Sequence, residues 1–214
     1  MMKKFAIGIP TYNREDLLIE SLLNYINKDF RDIDIHIIDN GKQDLQYLCD
    51  LSNNVYVYEQ DENLGVAKSW NCLCKTIFED YEYALIINDD VYLGYDTEFV
   101  ESKISQYPDT LITSFASWSM FIISKSLFKM IGYFDETFFP AYYEDSDYMY
   151  RMKLEGLLHS VDQTLNPKIL RISMTHELAP EMVNEAMQVN RFRYIEKWGG
   201  SPLLEKYIYP YNKI

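Results

Sequence analysis

Three consecutive residues, Asn88, Asp89 and Asp90, are the first candidates for chemistry. They close an apolar run from Tyr83 to Ile87, short enough for a buried strand. Paired carboxylates do not belong inside such a strand, because burying an unpaired charge is costly. The strand is therefore expected to stop here and to present both acids at the rim of a sheet, where open α/β sheets bind ligands. Adjacent carboxylates repel unless a cation shares them. Hard oxygen donors suit Mg2+ or Mn2+, ions that commonly arrive with substrate phosphates. The expectation is a metal–diphosphate site; the competing reading is an acidic turn after a strand.

The elements that must position these acids follow from hydrophobic period. Strands are expected at Phe5–Ile9, Ile33–Ile38, Val55–Tyr58 and Tyr83–Ile87. Helices are expected between them, one with Leu17, Leu18, Ser21, Leu22, Tyr25 and Ile26 on a single face, and one that the Glu62–Asn71 stretch leads into and that runs through about Glu79. Asn13 is placed as the N-cap of the first of these helices. This alternation predicts a parallel α/β sheet, with the strand ends near Pro10, Asp39 and Asn88 on one rim. Neither G-x-G-x-x-G nor a G-x-x-x-x-G-K-[ST] loop is present, so a nucleotide would be held by another scheme. In the second half, helices are expected at Thr97–Gln106, at Lys125–Ile131 behind a Ser124 cap, from about Asp147 to Leu154, and from Pro180 to the Gly199-Gly200 stop. Met182, Ala186, Val189, Phe192 and Ile195 recur along the last of them. Strands are expected at Leu111–Phe115, Trp118–Ile123, Leu157–Val161 and Ile169–Met174.

Composition narrows the classes. At 214 residues and 48% hydrophobic content, one sizeable core is expected. With 33 acids against 20 bases and a formal charge of −13, the chain is a poor candidate for nucleic acid or anionic membranes. No apolar run approaches a membrane span or a signal-peptide core. Cys49, Cys72 and Cys74 are odd in number and lack a zinc spacing, which suggests free thiols in a reducing, cytoplasmic setting.

Five stretches in order resemble the inverting glycosyltransferases of the GT-A, family 2 type, in wording closest to the rhamnosyltransferase-like branch. They are Ile7 to Arg14, Ile37 to Gly41, Glu62 to Asn71, Asn88 to Asp90, and Gly132 to Glu136 continuing through Tyr143-Glu144-Asp145-Ser146-Asp147 to Arg151. The resemblance spans roughly residues 3 to 155. It implies a single GT-A-like, Rossmann-like domain with a mostly parallel central sheet flanked by helices. A donor half would cover about residues 1–95 and an acceptor and catalytic half about 96–214. Asn88 stands where the family's D-x-D motif usually begins with an acid.

The resemblance also implies roles. Asp90, with Asp89 beside it, would hold Mn2+ or Mg2+, and His176 is offered as a third ligand. Pro10, Thr11, Tyr12, Arg14, Asn63, Gly65, Lys68, Asn88 and Asp89 would line the nucleotide-sugar donor. Asp39 would accept from the imide N–H of a uracil or thymine, which a carboxylate matches. Asp145 would be the general base for an acceptor hydroxyl, with Glu144 in reserve and the alternative that Asp145 or Asp147 is only a helix cap. Trp118, Tyr143 and Glu144 would face a glycan or other hydroxyl acceptor. A sugar-phosphate nucleotidyltransferase and a non-catalytic sugar-nucleotide or glycan-binding module are the competing functions.

Overall fold

The computed structural model describes residues 4–27, 30–114, 117–157, 160–165, 168–169 and 180–213. Strand β1 (Phe5–Thr11), helix α1 (Glu15–Asn27), β2 (Ile35–Asp39), β3 (Val55–Glu59), α2 (Gly65–Asp80) and β4 (Tyr83–Ile87) form the first half. Then come β5 (Val91–Tyr92), α3 (Thr97–Gln106), β6 (Leu111–Ser114), β7 (Ser117–Ser124), α4 (Lys125–Ile131) and α5 (Glu144–Leu154). The last elements are β8 (Ser160–Val161), β9 (Lys168–Ile169) and α6 (Pro180–Trp198).

The main sheet has seven strands in the order β3-β2-β1-β4-β7-β6-β8. β3, β2, β1 and β4 are mutually parallel, and β7 enters antiparallel against β4. The short pair β5-β9 stands apart. Parallel strands covered on both faces need apolar side chains on both. In β1, Phe5, Ile7 and Ile9 enter one core cluster and Ala6 the other; in β4, Leu85 and Ile87 alternate in the same way with Ala84 and Ile86. Gly8 lets α2 approach closely, because a Cβ there would lie 2.7 Å from Ile86 Cδ1 and 3.2 Å from Leu73 Cβ.

Parallel pairing of β1, β2 and β4 brings their C-terminal ends to one edge, as the alternation predicts. β1 runs on through Pro10 to Thr11, and β4 accompanies it only to Gly8, so the proline lies past the doubly paired stretch. Asn13 does not cap α1. Its φ of 54° is left-handed, the helix starts at Glu15, and Leu18 N–H donates to the Arg14 carbonyl.

The second half departs further from the sequence expectations. α5 begins at Glu144 rather than about Asp147, because Tyr142 and Tyr143 both take positive φ and turn the chain just before it. Three acids in its first turn then suit the positive end of the helix dipole. Of the expected Leu157–Val161 strand, Ser160–Val161 form β8, and residues 158–159 lie outside the described residues; of the last expected strand only Ile169 is described. The inward face of α6 is not the apolar stripe. Val183, Ala186, Asn190, Tyr194 and Lys197 are buried, whereas Val189 and Phe192 are exposed.

That rotation of α6 follows from polar anchors. Asn190 Nδ2 donates to the carbonyls of Phe139 and Ala141 at 3.2 and 2.8 Å. Lys197 Nζ reaches Asp135 at 2.6 Å and the fully buried Asp147 at 2.5 Å. Asp147 also accepts from Trp198 Nε1 at 2.8 Å and Arg151 Nε at 2.9 Å. A buried carboxylate survives only when so paired.

Candidate active site

The acidic turn after β4 is held from three elements. Thr11 Oγ1, at the end of β1, donates to Asp89 Oδ2 at 2.8 Å. Ser21 Oγ of α1 donates to the Asp89 carbonyl at 3.0 Å, and Tyr25 of the same helix donates its hydroxyl to the Val91 carbonyl. The Asn88 N–H donates to Ser119 of β7 at 2.8 Å. α1 therefore owes its inward polar residues to the loop that it pins.

Above this turn opens a cavity of about 430 Å³. The β1 loop supplies Pro10 to Arg14, and the ends of β2 and β4 supply Asn40, Asn88 and Asp89. Asn63, Gly65 and Val66 come from the start of α2, Pro140 to Tyr142 from the segment before α5, and Val183 and Ala186 from α6. Gly65 is required where it stands. Its φ is +73°, and a Cβ would meet the Phe139 ring at 2.8 Å and the Pro140 carbonyl at 2.9 Å. Val66 N–H donates to that carbonyl at 2.8 Å, fastening residues 139–141, with their cis Phe139–Pro140 bond, to α2.

Burial dominates the electrostatics. It pushes the Asp89 carboxyl up to about 7, against the opposing pull of the Thr11 hydroxyl and the Arg14 guanidinium. Asp90 is raised for the same reason, with Arg14 again opposing. Arg14 Nη2 lies 3.9 Å from Asp90 Oδ2. At the start of α5, burial and the neighbouring Asp145 hold Glu144 well above the ordinary range, and its Oε2 has no hydrogen-bond partner among the described residues. Asp145 is raised by burial and partly relieved by the Ser146 N–H at 2.6 Å.

Pro10, Thr11, Tyr12, Arg14, Asn63, Gly65, Asn88 and Asp89 all meet at the cavity, as expected of a donor site. Tyr12 is exposed rather than packed on the core. Lys68 is not on the lining, nor is Asp39. Asp39 is fully buried and builds the following turn: Gly41 N–H and Gln43 Nε2 donate to Oδ1 at 2.8 and 3.0 Å, and Gln43 N–H donates to Oδ2 at 2.7 Å. Asp145 is not on the lining either, but α5 starts two residues after Tyr142, which is. It is the second residue of the helix, so it is not the cap. Trp118 stacks on Trp70 at 5.9 Å and Tyr143 packs on Tyr194 at 5.6 Å, and neither is on the lining. His176 lies outside the described residues.

Sequence reasoning missed Asn40, whose Oδ1 accepts from Leu64 N–H at 3.1 Å and whose Nδ2 donates to Ser69 at 2.9 Å, joining β2 to α2 beside the cavity. It also missed Pro140, Ala141 and the Val183–Ala186 face. Only the three-residue spacing of the last pair was a signal.

Asp90 is not on the lining, but Asp89, which is, and Asp90 beside it fit a hard divalent ion in chemistry and in their desolvation, which a cation would relieve. Among the described residues, no group of three acidic, histidine or cysteine side chains could hold one. An ion here would take its remaining ligands from phosphate and water, as Mg2+ commonly does. All three cysteines are free thiols. Among the described residues, no helix is long and apolar enough to cross a membrane.

A family model described as "Glycosyl transferase family 2" matches residues 6–102. No curated protein matches the sequence. Among solved structures, the mannosyltransferase PcManGT from Pyrobaculum calidifontis, in complex with GDP-Man and Mn2+, aligns with a TM-score of 0.69 at 14% identity, over 94% of this chain and 66% of its own. S. aureus TarS 1-349 in complex with UDP-GlcNAc aligns at 0.59 and 17%, over 90% of this chain and 66% of its own. GalNAc-T7 with UDP, GalNAc and Mn2+ aligns at 0.63 and 11%, over 92% and 48%. The chain thus spans under two thirds of each of these structures. Residues 6–102 carry the sequence pattern of glycosyl transferase family 2, and the chain as a whole has the GT-A-type fold of these solved glycosyltransferases.

Proposed function

We propose that this chain is a metal-dependent, inverting glycosyltransferase that moves a sugar from a nucleoside-diphosphate sugar to an acceptor hydroxyl. The observation that carries the reading is the convergence at one cavity of the β1 loop, the Asn88–Asp89 turn and the segment running into Glu144 and Asp145. Sequence wording favours a UDP- or dTDP-sugar. The GDP-Man and UDP-GlcNAc complexes of the structural neighbours support a nucleotide sugar as the ligand class.

In this reading Tyr12, Asn63 and Gly65 flank the donor, while Thr11 orients Asp89 through its hydroxyl. Asp90 with Asp89 would hold Mn2+ or Mg2+, which when bound neutralises charge on the departing diphosphate. Asp145 takes the acceptor hydroxyl proton as its oxygen bonds to the anomeric carbon and the carbon–phosphate oxygen bond breaks. A carboxylate raised by burial is a stronger base than a solvated one, which suits that task. The buried Glu144 beside it, whose Oε2 has no hydrogen-bond partner among the described residues, is a candidate contact for the acceptor.

The test is incubation with UDP- and dTDP-sugars, with and without Mn2+, and measurement of nucleoside diphosphate released. Slow metal-dependent release without an acceptor is expected. A binding module would bind and release none, and a nucleotidyltransferase would release pyrophosphate from a sugar phosphate and UTP.

A further inference from the structure

Two cations are buried in the described part of the chain, Arg14 and Lys197, and they are treated differently. Lys197 spends its charge on Asp135 and Asp147 at hydrogen-bond distance. Arg14 does not: it is 7% exposed, yet its Nε and Nη2 find no hydrogen-bond partner among the described residues. Its Nη2 stops 3.9 Å from Asp90, inside ion-pair range and outside hydrogen-bond range. The same side chain lines the cavity. Buried polar atoms normally have partners, and unpartnered ones call for a reason. A guanidinium is permanently charged, and its planar fork matches two oxygens of a phosphate better than it matches one distant carboxylate.

We propose that Arg14 is an exchangeable cation of the acidic turn. Without a divalent ion it neutralises Asp90; when an ion takes Asp90, Arg14 turns its two unpartnered N–H groups to the donor's diphosphate. This rests on the donor site proposed above. No proton or covalent bond moves; a guanidinium changes partner. Arg14 and the divalent ion therefore compete for Asp90 when phosphate is absent and cooperate when it is present.

The full chain tests this with Mn2+ binding followed by electron paramagnetic resonance, and inorganic pyrophosphate binding at saturating Mn2+ followed by calorimetry. Arg14→Met is expected to bind Mn2+ alone at least about fivefold more tightly, since its competitor is gone. The same variant should bind pyrophosphate at least about tenfold more weakly, for want of charge-assisted hydrogen bonds. Arg14→Lys keeps the charge without the fork, so its Mn2+ affinity should stay within about twofold of wild type while pyrophosphate weakens. If Arg14→Met does not fold, Arg14→Lys decides: pyrophosphate binding equal to wild type overturns the proposal. Unchanged or weaker Mn2+ binding in a folded Arg14→Met also overturns it. If wild type binds neither pyrophosphate nor any nucleoside diphosphate with Mn2+, the donor site itself fails, and Arg14 with it.

Discussion

The two ends of the cavity are built on opposite principles. On the β1–β4 side, loops follow directly from parallel strands whose alternating apolar residues are locked between two helical layers. Their polar residues sit at strand ends and are joined directly to one another, as Thr11 is to Asp89. On the α5–α6 side no strand aims the chain. Residues 133–147 are held by side chains of neighbouring helices: Asn71 of α2 bonds both backbone groups of Phe134, Asn190 of α6 holds the carbonyls of Phe139 and Ala141, and Lys197 of α6 joins Asp135 to Asp147. A site assembled in this way has one side framed by the sheet and another whose geometry depends on a polar network.

The contrast gives separate ways to damage the two sides. Asp145→Asn should cost about 10²–10⁴-fold in turnover, the usual loss on removing a general base, while leaving nucleotide affinity unchanged. Steady-state rates alongside calorimetry check this, and wild-type turnover would remove Asp145 from the role. Lys197→Met strips a buried carboxylate of one partner and should destabilise the fold by about 3–5 kcal/mol, read by denaturant unfolding. Gly65→Ala attacks the seam between the sides. An alanine at φ +73° with a Cβ 2.8 Å from the Phe139 ring should cost more than about 1 kcal/mol and weaken donor binding.

The smallest expected effect lies in the pH dependence of the donor side. Asp89 is raised in the fold to about 7, from an ordinary 3.8. The folded chain thus binds this proton more tightly than the unfolded chain. The stability it confers is complete below the ordinary value and is lost as pH rises through about 7. Asp89→Asn should therefore gain in melting temperature on wild type between pH 5 and pH 8, and Mn2+ should narrow that gain by stabilising wild type only. A gap independent of pH would show that Asp89 carries no such burden.

The same contrast explains what was legible in the sequence. The period of Phe5 to Ile9 and Tyr83 to Ile87 is a local signal, and so were the strands and the rim they share. The helix caps at Ser124 and the turn at Gly132 were local too. Asn40, Pro140, Ala141 and the inward face of α6 were not, because tertiary hydrogen bonds that no local period displays place them. An apolar stripe was the natural expectation for α6, yet Asn190 and Lys197 turned it. Asp39 was read as an acceptor for an imide N–H because the family resemblance implies it, and its engagement by Gln43 is a feature of the turn that sequence does not display.

The most direct measurement is a thermal-shift series of nucleotide sugars with and without Mn2+. At a hundredfold excess over Kd, a ligand of the native state adds about 2.7 kcal/mol. For a chain of this size that is a rise of roughly 5–10 °C. Such a rise is expected for at least one UDP- or dTDP-sugar, much larger with Mn2+ than without, and abolished by Asp90→Asn. No shift with any nucleotide sugar in the presence of Mn2+, or a shift indifferent to both the ion and Asp90, would contradict a donor site at this rim.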